Sequence, residues 1–189
     1  MMYDFNKDLA FSLGENKTFD ETLIQRAIPH CIGVRKTGID LDKKGVDYIA
    51  RLDGGAEINI DAKRRRRGAV RNGEPVLAIE TWSAFPHKVG WTYSRNTPVD
   101  MILYLFDPEE WQKFYLVPFQ HLRMASINHY HEWKEAYKEK EQRNDGWLSK
   151  CIFVPASVVL SAVADEMTGS LATNTTQANI RRYDKRNLF

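Results

Sequence analysis

The residue pattern predicts an α/β fold, a mixed central β-sheet flanked by helices, and three stretches carry that prediction. Gly45–Lys63 (GVDYIARLDGGAEINIDAK) alternates apolar and polar residues on both sides of Asp53-Gly54-Gly55, as two strands joined by a tight turn do. Val99–Phe106 (VDMILYLF) is almost continuously apolar, which suits a central strand covered on both faces. From Phe119 the period changes: Phe119, Leu122, Ser126/Ile127, Tyr130, Trp133 and Tyr137 recur every three or four residues, a helical stripe.

Taken in order, residues 3–13 have weak periodicity and suit a short helix or a docked arm. Thr18 and Glu21 match a capping box, and Phe19, Leu23, Ile24, Ala27 and Ile28 form an apolar stripe. A helix is therefore expected from about Phe19 to Ile28, stopped by Pro29. CIGVRKT (31–37) reads as a strand, and GIDLDKK as a polar loop leading into the hairpin. Further strands are expected at Glu74–Ser83, Gly90–Ser94 and Lys113–Pro118, the last at an edge. One long helix is expected over Phe119–Arg143, ended by Asn144-Asp145-Gly146. A strand at 151–155 and a helix over 156–167 follow. The expected organisation is one domain over residues 1–168, then a polar, basic, loosely ordered tail over 169–189.

Register decides what the hairpin's polar face carries. A two-residue loop would set Asp47 opposite Ala62, whereas a three-residue loop (Asp53–Gly55) sets Asp47 opposite Asp61. The second choice also pairs Arg51 with Glu57 and Ile49 with Asn59, and it gathers Val46, Tyr48, Ala50 and Leu52 with Ile58 and Ile60 on the core face. It is self-consistent, and it brings two carboxylates and the Lys63 ammonium to one place.

Composition sets the bounds. The chain has 189 residues, 43% hydrophobic and 28% charged, enough for one well-filled core. A net charge of +2 gives no global field for nucleic acid, but Lys63 to Arg67 is an unbroken run of cations with Arg71 close behind. Two cysteines, Cys31 and Cys151, make neither a metal cluster nor a disulfide framework, so core thiols in a reducing, cytoplasmic compartment are expected. No apolar run approaches the ~18 residues of a membrane span, and the first residues lack the apolar core of a signal peptide. No membrane partner is expected.

Asp47 followed by Asp61-Ala62-Lys63 on a hairpin resembles the PD-(D/E)XK nuclease superfamily, restriction-endonuclease-like and Holliday-junction-resolvase-like proteins. Three other acidic-x-Lys triplets occur, Glu15-x-Lys17, Asp42-x-Lys44 and Glu132-x-Lys134; only Asp61-x-Lys63 ends an alternating strand with an upstream Asp across a glycine turn. The resemblance implies a restriction-endonuclease-like α/β/α sandwich and a DNA-cleaving endonuclease. It implies Mg²⁺ (or Mn²⁺) held by Asp47, Asp61 and the Ala62 carbonyl, with Lys63 orienting the attacking water or helping to deprotonate it. The residue types suit that chemistry independently: phosphodiester hydrolysis uses hard oxygen ligands and a neighbouring ammonium.

The resemblance extends further. Members of this superfamily commonly carry a helix acid that reaches the metal, here Glu21 or Glu15, and Glu80 would lie on a strand beside Asp61. The segment from Gly90-Trp91 to Asp100 and its apolar strand resembles phage- and plasmid-borne members, implying a phage or mobile-element setting. Many such nucleases act as dimers, so a homodimer is among the expected partners.

Plainer roles stand beside each residue. Asp47, Asp61 and Lys63 could be charges on a solvated sheet face, Glu21 a capping acid, and Glu80 a surface carboxylate. Arg64, Arg65, Arg66, Arg67 and Arg71 are expected to contact phosphates, the alternative being a basic loop. His129 and His131, two apart on a helix, face different ways and make a poor metal pair. Gln120 and His121 are secondary candidates beside the sheet. Trp82, Trp91 and Tyr93 suit a core better than a base-stacking platform. The alternative function is a non-catalytic nucleic-acid-binding or protein-interaction domain on the same fold.

Overall fold

A computed structural model of the chain describes residues 17–65, 70–106, 114–144 and 146–172. In chain order its elements are α1 (Lys17–Ala27), β1 (Cys31–Lys36), α2 (Ile39–Asp42), β2 (Tyr48–Leu52), β3 (Glu57–Arg65), β4 (Val70–Arg71), β5 (Glu74–Ala84) and β6 (Lys88–Val89). After a 3-10 turn at Trp91–Tyr93 come β7 (Met101–Phe106), β8 (Phe114–Pro118), α3 (Phe119–Asn128), α4 (Tyr130–Tyr137), β9 (Glu139–Arg143), β10 (Leu148–Pro155) and α5 (Ala156–Ala172). The fold is mixed α/β, as expected, but the strands form two sheets instead of one. Two compact units result, Met1–Ala69 with Arg95–Phe119, and Val70–Ser94 with Gln120–Phe189. Among the described residues no helix is long and apolar enough to cross a membrane.

The first unit holds a five-stranded sheet in the order β1-β2-β3-β7-β8. β3 runs parallel to β7, and the other neighbours are antiparallel. The Asp53–Gly55 loop forms as expected: Leu52 N–H donates to Ala56 O at 2.9 Å, and Gly55 takes φ +82, a conformation only glycine adopts without strain. The ladder pairs Ile49 with Asn59 and Arg51 with Glu57, the register that the charge pattern favoured. Ile24 of α1 and Ile28, just beyond its end, pack on Tyr48, Ala50, Ile60, Leu103 and Leu105. Each such buried aliphatic side chain contributes about 1.5–3 kcal/mol. Met101–Phe106 is the central strand its apolar run predicted, with Ile102 to Phe106 all buried, and β8 lies at the sheet's edge.

The second unit is built on an antiparallel sheet, β4-β5-β10-β9, with β6 also on β5. Two expectations fail here. The Gly90–Ser94 segment is no strand; Trp91–Tyr93 is a 3-10 turn, because Glu80 Oε2 accepts the Trp91 N–H at 3.0 Å and Thr92 Oγ1 accepts the Glu80 N–H at 3.1 Å. The helix expected over Phe119–Arg143 breaks at His129 and stops at Tyr137. Lys138 takes φ +63, and Glu139–Arg143 turns back as a strand on β10, so non-local pairing overrides the helix-forming composition of EKEQR. α5 extends past the expected boundary to Ala172; residues 173–189 of the expected tail lie outside the described residues. Both cysteines are free thiols, Cys151 buried and Cys31 half-buried.

Gly90 sits where no side chain fits. Its N–H donates to Thr81 O at 2.8 Å, and a Cβ there would lie 1.9 Å from the Glu80 carbonyl oxygen. Gly90→Ala is expected to lower the unfolding free energy by at least about 2 kcal/mol. Gly33→Ala, with nothing within 4 Å of its new methyl, serves as the comparison. Equal urea midpoints for the two variants would contradict the close approach.

Candidate active site

The site begins with how the chain enters β2. Gly45, at φ +85, closes the turn after α2, its N–H on Asp42 O at 2.8 Å and the Val46 N–H on Leu41 O at 3.0 Å. Two strands then fix the Asp47 backbone: Thr37 N–H donates to Asp47 O, and Asp47 N–H donates to Ile60 O, each at 2.9 Å. Thr37 Oγ1 adds a short hydrogen bond to Val46 O. The paired ladder ends at Tyr48–Ile60, so Asp47 stands one residue before it and Asp61 one residue beyond it on the facing strand.

The side chains converge accordingly. Asp47 Oδ2 accepts the Ala62 N–H at 2.7 Å. Asp61 is 4% exposed, and its Oδ2 lies 2.8 Å from Lys63 Nζ. A side chain on Gly45 would come within 4.0 Å of that same Oδ2, so a bare backbone borders the carboxylate. Burial pushes the Asp47 carboxyl up to about 7, and the Asp61 charge and a hydrogen bond with Asp42 push the same way. The Ala62 N–H and Lys63 oppose them. The site is thus short of positive charge: two carboxylates share one ammonium, and Asp47 keeps its proton to near neutrality.

Hard oxygen donors this close suit a small divalent cation, which needs only one or two protein carboxylates and keeps its waters. Among the described residues no group of three or more His, Cys, Asp or Glu forms a ready-made metal site. Any cation would therefore rely on Asp47, Asp61, backbone oxygen and water.

The strand that carries Glu80 is not the one beside Asp61, for β3 is flanked by β2 and β7, and β5 belongs to the other sheet. The Glu80 carboxylate accepts from Ser83 Oγ at 2.6 Å and from the Trp91 N–H, so it caps the 3-10 turn. Glu21 is half-buried on α1, and Glu15 lies outside the described residues. Arg64 turns away from Lys63 to pair with Asp20, and Arg71 sits with its guanidinium carbon 4.8 Å from the Tyr137 ring centroid. The Arg65 side chain, Arg66 and Arg67 lie outside the described residues. Tyr93 and Thr92 are buried, and His129 stacks on Trp133 and bonds Glu132.

Two acids escaped the sequence reading. Asp42 belongs to an acidic-x-Lys triplet that looked incidental, yet its carboxyl reaches Asp47. Asp20 is 1% exposed, and its Oδ2 accepts the Tyr48 hydroxyl at 2.8 Å and pairs with Arg64. The signal for Asp20 was present in the spacing: Asp20, Ile24 and Ile28 recur every four residues, so a charge sits on the apolar stripe.

Comparison with known proteins adds little. No family model matches the chain, and no curated protein matches it. Among solved structures, that of D212, a nuclease from a fusselovirus, aligns at a TM-score of 0.38 and 13% identity, covering 89% of this chain and 98% of that one. A likeness at that score carries no weight beside the geometry.

The carboxylate pair has a pH signature. Asp47 rises from 3.8 to about 7 on folding, so between those values the folded chain binds the extra proton. Its contribution to stability is complete below about pH 4 and is lost as the pH climbs through about 7. In EDTA the melting temperature is therefore expected to fall between about pH 4 and about pH 7. Asp47→Asn should flatten that slope and stabilise the metal-free protein at about pH 8 by about 1–2 kcal/mol. A variant that melts below the wild type at that pH would count against the crowding.

Proposed function

We propose that the chain is a metal-dependent endonuclease of the PD-(D/E)XK type that hydrolyses phosphodiester bonds in DNA. One observation carries this reading: Asp47 and Asp61 share one corner of a hairpin with Lys63, whose ammonium is 2.8 Å from Asp61. Two like charges held together weaken a fold unless a cation belongs between them, so the arrangement has a cost that a binding role explains.

Asp47, Asp61 and the Ala62 carbonyl would hold Mg²⁺ or Mn²⁺. When bound, the cation supplies positive charge against the charge developing at phosphorus and eases proton loss from the attacking water. Asp47 would have to lose its proton to hold the cation, so binding would be tighter at higher pH. Lys63, tethered to Asp61, orients the water and adds positive charge at the reacting centre.

Arg65, Arg66 and Arg67 follow directly and are proposed to hold flanking phosphates, which makes binding salt-dependent. Arg64 is left out of that set because its guanidinium is committed to Asp20. A phage or mobile-element setting, a cytoplasmic location and a homodimeric state belong to the same proposal.

Supercoiled plasmid with Mg²⁺ or Mn²⁺ tests it. Wild type is expected to nick or linearise the plasmid, and Asp61→Ala and Lys63→Ala to lose at least about a hundredfold in rate. Equal cleavage by wild type and Asp61→Ala would end the assignment to this site. A salt-sensitive gel shift without cleavage would point to the non-catalytic binding domain instead.

A further inference from the structure

The back of the same hairpin holds a second, buried polar cluster. Along β2 and β3, side chains alternate between faces. Asp47, Asp61 and Lys63 share one face, while Tyr48, Ile60 and Arg64 share the other, where α1 packs. Asp20 of α1 binds both polar members of that second face, the Tyr48 hydroxyl at 2.8 Å and the Arg64 guanidinium. Tyr48 is the residue after Asp47, and Arg64 the residue after Lys63. One carboxylate therefore grips the immediate neighbours of two site residues.

The ladder shows why that grip matters. β2 begins at Tyr48, which pairs with Ile60, whereas β3 continues to Arg65. Beyond Ile60, β3 keeps its full pairing with β7, from Asp61–Ile102 to Arg65–Phe106. On the β2 side that overhang is tied by the Ala62 N–H on Asp47 Oδ2 and by the bridge Tyr48–Asp20–Arg64. The overhang is the segment that bears Asp61 and Lys63.

Stability alone is a poor reason for the cluster. A buried ion pair is often matched or bettered by apolar side chains of similar volume, and its best-attested use is to fix one arrangement among several. Asp20 is 1% exposed and Arg64 18%, on a face otherwise lined by apolar side chains. Another aliphatic residue at position 20 would continue the Ile24–Ile28 stripe.

We infer that Asp20 is a positioning residue for the Asp47–Asp61–Lys63 site, acting through Tyr48 and Arg64 from the opposite face of the sheet. The inference rests on the proposed metal site, but its structural part stands apart from catalysis: Asp20 holds the β3 overhang against the start of β2.

The test uses the full chain and the variants Asp20→Asn, Asp20→Asn/Arg64→Gln and Tyr48→Phe. Three quantities are read: melting temperature, Ala62 amide hydrogen exchange by NMR, and Mn²⁺ affinity by calorimetry. Asp20→Asn alone strands a buried guanidinium and should melt lowest. The double variant removes both charges and should melt close to wild type, yet exchange the Ala62 amide at least about tenfold faster and bind Mn²⁺ about tenfold more weakly. Tyr48→Phe keeps the ion pair and should show the same two changes at about two- to fivefold.

Wild-type Ala62 protection in the double variant and in Tyr48→Phe would overturn the inference. So would exchange that quickens uniformly along β3 in step with melting temperature, which is what a purely structural role gives. Failure of the metal site itself reads differently: wild type and Asp61→Ala would bind Mn²⁺ alike, while the Ala62 exchange still decides what Asp20 does.

Discussion

The register of one hairpin is the constraint on which the site depends. A pleated strand turns its side chains over at every residue, so a slip of one position would send Asp61 and Lys63 to the α1 face and put Ile60 in their place. Several independent features hold the register where it is. Gly55 supplies a left-handed turn residue, Arg51 meets Glu57, and the isoleucines find their core. Each pulls toward the same pairing, and the Asp61 charge acting on the Asp47 carboxyl is what the others together impose. That repulsion is unfavourable by itself, so it persists because the surrounding structure over-determines it.

Much of this was legible in the sequence because it is local. Turn chemistry, alternation and the cross-strand charges all lie within Gly45–Lys63, and they name both the loop length and the pairing. The apolar run of β7 likewise declares a buried strand. What could not be read depends on distant partners. EKEQR has the composition of a solvated helix, and only β10, several residues further on, makes it a strand. Glu80 looks like any acid on an alternating strand until Trp91 and Ser83 turn back to meet it. The division into two sheets is equally non-local, since each strand's own pattern is satisfied by either sheet.

The basic run teaches a finer lesson. Read as composition, Lys63 to Arg67 is a patch of positive charge. Read as a strand, β3 reaches through Arg65, and successive residues face opposite ways. Lys63 joins the acids, and Arg64 turns to the buried Asp20. Charge runs that continue a strand should be divided by parity before any of their members is assigned to a ligand. Asp20 is the complement of that rule, an acid hidden in an apolar helical stripe because a guanidinium on the facing strand requires it.

The parallel pairing of β3 with β7 has a kinetic consequence. Antiparallel neighbours such as β2 and β3 can zip from their turn, but β7 reaches β3 only after residues 66–100, which include β4, β5 and β6 of the other sheet. Closing so long an excursion spends chain entropy before any ladder bond repays it. The α1–β1–β2–β3 segment is contiguous in sequence and joined by short connections, so its contacts close at a smaller entropic cost. Until β7 docks, the edge of β3 is open, and the last residues of that strand are a lysine and two arginines. Cations on an open edge repel a second copy of the same edge, so this segment also discourages strand-to-strand aggregation while the chain is still folding.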